Sequence, residues 1–594
     1  MVRLAANPEK IIQRTLPEVS SWQVSGKPFN PMRCLGVYGI PDRPGLDLAM
    51  TLIAQTAIAP LGVTATIISD FPKKIPESAV IVGTADQIQK AYPQYTSDKY
   101  LPQDGYRMHI DSSIVLIGNG SAGCIAGAHT LVQMLSGLAG EALPGMELTD
   151  FPRSVRRSVL ADCTRVSPEI GTLVRLAGFV SAFKGNTIHV VLSPNRPVSH
   201  RTEPGCISVN DALEAAEACR EYGITLIPSA DFAGEIVHKN KSVNDMTSQA
   251  IQLAEAFKSN VLNIGKCTAA SCPSNVYQFI DNVRKNIPDV KLYGNIPDAE
   301  GIILCACTPD EACYAQSLGR EYAFFIDYSE TGYVPTLPND AFAAMDQASA
   351  FLNDPLCVEI CYTPSILSSN ILGGHDLMYW TSAVTIGWND LLSARSAADR
   401  FASLAYGERG SAAVMRLLVE LAGMFPDVLR GHEAERLHKL AFGYSGTKDD
   451  WKAFCSIDWD ELTPRLCHIE DEMTAVRKVV TSNRDTLVGV SVSLHILKFC
   501  AILAQHYVGA SRAYREEEFD MSRVCLGQVK DGITNLCKAL IDSPSGAQRY
   551  APELAQLKSL EEKLTSIQTL LKTNDFSLIE HTDVESILPP LWDD

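Results

Sequence analysis

No stretch of this 594-residue chain reaches the roughly 18 consecutive apolar residues that a membrane-crossing helix needs. The opening MVRLAANPEKIIQRTLPE has no basic end followed by an apolar segment, so it offers no sign of secretion. Positive charge is also short: 51 Lys and Arg against 69 Asp and Glu leave a net charge of −18. That average field repels nucleic acid and anionic membrane and favours a neutral or cationic ligand. No Gly-x-Gly-x-x-Gly turn follows the first strand-like run of the central region, which removes the main signature of a dinucleotide site, and no cofactor is expected. The 17 cysteines are odd in number and sit in apolar runs such as ILCAC and CVEICY. They read as reduced buried thiols, so a cytoplasmic location is expected.

What is present is a long alternation of strand-like and helix-like segments. From Arg33 to about Gly140 the runs CLGVYGI, VTATIIS, SAVIVG and SSIVLIGN alternate with amphipathic stretches, which predicts a small α/β domain over residues 1–150. From about Ser154 a second rhythm begins: SVLADCT, TIHVVLS, ITLIPSA, VLNIGK, KLYGNI, GIILCAC and YAFFIDY, each followed by a helix-like segment. An eighth strand comes from LCVEICYT or LGGHDLMYW, and the series predicts a (β/α)8 TIM barrel over residues 151–400. Residues 401–594 lose the strand signal and predict a helical C-terminal region. Its expected role is a buttress, with closure of the barrel mouth or a homo-oligomer contact as alternatives.

In such barrels reactive groups sit at the C-terminal ends of the strands. The residues there are Asp162 and Arg165, His189 and Ser193, Asp231 and Glu235, Lys266 and Cys267, Asn295, Asp310 and Glu311, then Asp327, Tyr328 and Glu330. Converging carboxylates suit glycoside chemistry, where one acid protonates a leaving oxygen and another carboxylate steadies or attacks the oxocarbenium centre. Asp231, Glu235, Asp310, Glu311 and Asp327 are therefore the candidate catalytic residues. Arg157, Asp162, His189, Lys266, Tyr328 and Trp380 are the candidates for holding a sugar. Rim carboxylates also cap helices or pair with arginine, and a mid-strand histidine is as often a hydrogen-bonded core residue. Cys267, Cys272, Cys305 and Cys307 match no zinc spacing, and no metal is expected.

The order of motifs resembles glycoside hydrolase family 20, the β-N-acetylhexosaminidase family, over roughly residues 10 to 410. RSVLADCTR resembles the family's first strand through Arg157, Asp162 and Arg165, and KGNTIHVVLS its second through Lys184, Asn186 and His189. PSADFAGE keeps Pro228, Asp231 and Gly234 of the third, with Glu235 in place of a histidine. LGGHDLMYW resembles the family's Gly-Gly-x-x-x-x-Trp strand through Gly373, Gly374 and Trp380. The fourth strand of the family ends Ile-Gly-Gly-Asp-Glu, whose acid protonates the glycosidic oxygen and whose aspartate steadies the substrate's acetamido group. Here NIGKCT carries Cys267 and Thr268 at those positions. A thiol of pKa about 8.5 is a poor acid for a sugar oxygen, and a threonine hydroxyl does not titrate usefully.

Two expectations follow from the resemblance and its gap. One is a glycoside hydrolase acting on a terminal hexosamine or related hexose through a different set of mouth carboxylates. The other is a non-catalytic glycan-binding descendant of the same scaffold. Both have a carbohydrate as partner, with no nucleic acid and no membrane.

Overall fold

The computed structural model describes residues 4–31, 34–43, 45–95, 100–136, 138, 140–164, 169–199, 205–267, 273–296, 299–327, 338–363, 375–423, 447–480, 487–542, 551–573, 584 and 587–589. They fall in two compact units. The first holds residues 1–326, 342–363 and 379–401; the second holds 327–341, 364–378 and 402–594. Among the described residues no helix is long and apolar enough to cross a membrane.

The first unit begins with a seven-stranded sheet: β1 (Ser21–Val24), β2 (Cys34–Tyr38), β3 (Thr64–Ile68), β4 (Val80–Thr84), β5 (Tyr106–Ile110), β6 (Ile114–Gly118) and β7 (Met146–Asp150). Their order is β1-β7-β5-β6-β4-β2-β3. The β6-β4-β2-β3 half is parallel, and β5, β7 and β1 pair antiparallel. β4 and β6 are buried on both faces, which is why VIVGT and IVLIG read as unbroken apolar runs. The helix Gly120–Ser136 follows β6 at once. A Cβ on Gly118 would lie 2.3 Å from the Cys124 nitrogen, so only glycine lets the strand end meet the helix's first turn.

Eight parallel strands then close a barrel: β8 (Arg156–Asp162), β9 (Thr187–Val191), β10 (Thr225–Ser229), β11 (Val261–Lys266), β12 (Lys291–Asn295), β13 (Ile302–Ala306), β14 (Tyr322–Asp327) and β15 (Cys357–Thr363). The eighth strand is thus the one inside LCVEICYT. The described part of LGGHDLMYW is helical instead, within His375–Trp388, and Trp380 stands on that helix rather than on a strand. β15 pairs with β8 in register Glu359 to Arg156 and Cys361 to Ser158, which is the closing seam. Serine and threonine caps start the outer helices, as at Ser208, Ser242 and Thr308.

Sheet and barrel are joined by buried charge. Lys184 donates to Asp150 Oδ2 at 2.7 Å with both side chains fully enclosed, and lies 4.7 Å over the Trp388 ring. Asp150 also accepts from the Ser20 N–H and hydroxyl. Arg157 donates to Asp104 at 2.9 Å, to the Lys184 carbonyl at 2.7 Å and to the Ser154 carbonyl at 2.8 Å. Asn186 donates to the same Asp104 carboxylate at 3.1 Å. Burial pulls the Lys184 ammonium below its ordinary range, against the opposing pull of Asp150.

The barrel interior is polar at its centre, where such barrels usually pack branched aliphatic side chains. His189 Nε2 and Glu359 Oε1 lie 2.7 Å apart, both fully buried, and the Tyr293 hydroxyl donates to Glu359 Oε2 at 2.7 Å. Arg156 donates in turn to the Tyr293 hydroxyl. Ile227, Val261, Ile303 and Phe325 fill the surrounding space. Burial by itself raises the Glu359 carboxyl, but the charge and hydrogen bond of His189, with Arg156, bring it below its usual value.

The second unit is helical. Trp451, Phe454, Trp459 and Tyr507 form an aromatic cluster, and the long helices Phe519–Asp542 and Ala551–Thr573 are seamed by Leu526, Leu536, Leu557 and Leu564. No disulfide joins the fifteen cysteines whose side chains are described.

Lys184→Met, which strands Asp150, should cost about 3–5 kcal/mol in urea unfolding, and Lys184→Met with Asp150→Asn together should cost less than the single change. A depressed carboxyl stabilises the fold above its unfolded pKa of about 4.3, and that contribution is lost as pH falls toward the folded value. Thermal melts between about pH 5 and pH 3 should therefore fall more steeply for the native chain than for Glu359→Gln.

Candidate active site

The mouth of the barrel is built by the ends of β8 to β15 and the first turns of the helices that follow. Asp231 comes directly after β10 and caps the helix Phe232–Lys239. Its Oδ1 accepts the Gly234 N–H at 3.1 Å and also the Lys266 N–H of β11 at 3.0 Å. The carboxylate is exposed and lies against the end of the fourth strand. Gly265 makes this approach feasible: its φ is +91°, and a Cβ there would fall 2.0 Å from Asp231 Oδ1. One turn further on, Glu235 is 5% exposed, takes the Lys239 ammonium on Oε1 at 2.6 Å, and leaves Oε2 buried with no hydrogen-bond partner.

Across β12 and β13 the mouth is a capping box. Glu311 accepts the Cys307 N–H at 2.6 Å and the Thr308 N–H at 3.2 Å on Oε2, while Thr308 Oγ1 accepts the Glu311 N–H. Its other oxygen takes the Asn295 amide at 3.1 Å, so Glu311 ties two strand ends together. Asp310 is exposed in the same first turn, where the helix N-terminus favours a negative charge. Asp162 closes a turn by accepting the Thr164 N–H at 2.9 Å and its hydroxyl at 2.7 Å.

Lys266 and Cys267 end the fourth strand, with the Cys267 N–H given to the Asn295 carbonyl at 3.1 Å. Burial first, then Cys307 and Glu359, push the nearby Cys305 thiol well above its usual range, so it is a poor nucleophile. Asp327 ends β14, and its carboxylate lies outside the described residues. Tyr328, Glu330, Arg165, Thr268, Cys272, Gly373 and Gly374 lie outside them too.

Two sugar-holding expectations are corrected by position. Arg157 is the second residue of β8, at the opposite end from the mouth, with its guanidinium enclosed beside Asp104 and 5.1 Å over Trp388. It belongs to the joint between sheet and barrel, where its ion pair is with Asp104. His189 is enclosed in the barrel centre by Glu359, Tyr293 and Phe325, where no sugar ring reaches it. Trp380 is buried to 1% on its helix, with its indole N–H unpartnered.

Sequence reasoning missed Glu359, Tyr293 and Arg156 inside the barrel, and Asp104, Asp150 and Trp388 at its base. The signal for Glu359 was present: a lone acid inside the apolar run CVEICYT, two residues before Cys361 and so on the same face of the strand.

Residues 14–151 match the protein family described as glycosyl hydrolase family 20, domain 2. No curated protein matches the chain. Among solved structures, a family 20 β-N-acetylhexosaminidase from Streptomyces coelicolor is 14% identical with a TM-score of 0.52, over 70% of this chain and 98% of that one. A β-N-acetylhexosaminidase from Bacteroides fragilis is 13% identical with a TM-score of 0.51, over 66% of this chain and 95% of that one. A structure named CpGH84D is 11% identical with a TM-score of 0.55, and the match spans 92% of this chain and 99% of that one. In its N-terminal domain by sequence, and in its barrel by fold, the chain resembles glycoside hydrolase family 20.

Proposed function

We propose that this protein is a glycoside hydrolase that takes a terminal hexosamine or related hexose at the barrel mouth, with Asp231 as the carboxylate nearest the reacting centre. The observation carrying this reading is the Asp231 carboxylate, exposed and locked by two N–H donors against the end of β11. That strand end is where the family it resembles carries its Asp-Glu pair. An anion fixed before the substrate arrives needs no reorganisation when positive charge develops on the sugar ring, which is how a mouth carboxylate lowers an oxocarbenium-like barrier. Glu235, one helical turn away with one oxygen unpartnered, is the proposed proton donor. The named hexosaminidases among similar structures supply the substrate class.

A second reading, glycan binding without turnover, has its own support. Asp162, Asp231 and Glu311 all spend an oxygen on backbone N–H groups, as scaffold residues do, and Cys267 stands where the family has a carboxylate.

Asp231→Asn separates the two readings, because asparagine keeps a cap oxygen for both N–H donors and removes only the charge. On aryl glycosides of N-acetylglucosamine, N-acetylgalactosamine, glucose and galactose, kcat/KM should fall about 10²- to 10⁴-fold with an unchanged melting temperature, and Glu235→Gln should fall comparably. Saturable sugar binding without turnover in the native protein would overturn the hydrolase reading in favour of the second.

A further inference from the structure

We infer that the centre of the barrel is a metal site, in which His189, Glu359 and Cys361 hold a divalent ion of the zinc or cobalt type. One imidazole nitrogen, one carboxylate oxygen and one thiol sulfur lie there within 4.8 Å of one another, all buried. A nitrogen, oxygen and sulfur donor set suits zinc, which holds such atoms at about 2.0–2.3 Å, so small side-chain movements bring all three onto one ion.

The hydrogen bonding around His189 points the same way. Ser229 Oγ donates to the Ile227 carbonyl at 3.3 Å and lies 3.4 Å from His189 Nδ1. His189 Nε2 meets Glu359 Oε1 at 2.7 Å. A ring proton or a metal ion can bridge that pair, and a bound metal takes the place of the proton on the ligating nitrogen. The outer groups are placed as metal sites place them: Ser229 orients the imidazole, and Tyr293 holds the carboxylate oxygen that faces away.

Ser158 is a further outer group. It pairs in register with Cys361 across the closing seam, and its buried side chain helps hold the Glu359 charge. Three protein ligands leave the fourth position of a tetrahedral ion open. The ion would clamp the second and eighth strands, joining residues 170 positions apart in the chain where the barrel closes. Binding a metal there is folding free energy spent on the most non-local pairing of the barrel.

The test is metal analysis of the intact protein purified without chelator, then cobalt loading by refolding from chelator. The expected result is one equivalent of metal as purified and a thiolate-to-cobalt charge-transfer band, lost in Cys361→Ser. Ser229→Ala, which keeps all three ligands, should weaken metal affinity about 10- to 100-fold with native circular dichroism. Native protein that is folded as purified, holds only trace metal and gives no band would overturn the site and leave a plain hydrogen bond between His189 and Glu359.

Discussion

The pair between Lys184 and Asp150 is the constraint on which the first unit depends. An ammonium and a carboxylate taken wholly out of water are costly unless they meet each other and spare hydrogen bonds are filled, and here both conditions hold. Asp150 ends the last strand of the sheet, and Lys184 lies in the turn that leads into the second strand of the barrel. With Arg157 on Asp104, and Trp388 beneath both cations, the base of the barrel has one register against the sheet. The strands that rise from this base carry their C-terminal ends to the mouth, so the geometry of the mouth is set from below.

The polar layer in the middle of the barrel extends that logic. Arg156, Tyr293, Glu359 and His189 form a continuous chain of contacts through β8, β12, β15 and β9, with no charge left unopposed. An aliphatic layer would cost less to bury, but apolar side chains slide past one another more easily than a fixed ladder of donors and acceptors. The ladder crosses the seam between β15 and β8, where a slip would turn every side chain to the other face. Its hydrogen bonds pin the seam in one register.

The architecture was legible because strand runs and helix stretches alternate over a long span, and the seven-run count survived intact in the barrel. The eighth strand was ambiguous: CVEICYT and GGHDLMYW are both short apolar runs, but the first holds three β-branched residues, Val358, Ile360 and Thr363, and the second none, which fits the strand at Cys357–Thr363. The candidate site was legible only in part. Which strand a residue stands on can be read from pattern, but which end of the barrel it occupies depends on where the strand starts. Arg156 and Arg157 are neighbours in sequence, yet one faces the barrel interior and the other the joint. Arg157, Lys184 and Asn186 resemble the family's motifs, and all three converge on the joint. The motifs that carry the resemblance therefore include residues that hold sheet and barrel together. Asp231 and Glu311 were found by position but not by partner, since the N–H groups that engage them come from other strand ends.

The mouth differs from the family pattern in charge as much as in chemistry. Reading Ile264 and Gly265 onto the family's Ile-Gly, the next three positions change from Gly-Asp-Glu to Lys266, Cys267 and Thr268. Against that pattern this strand end has two fewer carboxylates and one more ammonium, a difference of three charges. Asp231, held over from the third strand by the Lys266 N–H, sets a carboxylate beside this strand end. Gly265, at φ +91°, is what permits that neighbour. The backbone of the fourth strand thus holds at the mouth a carboxylate that Lys266 and Cys267 do not themselves provide.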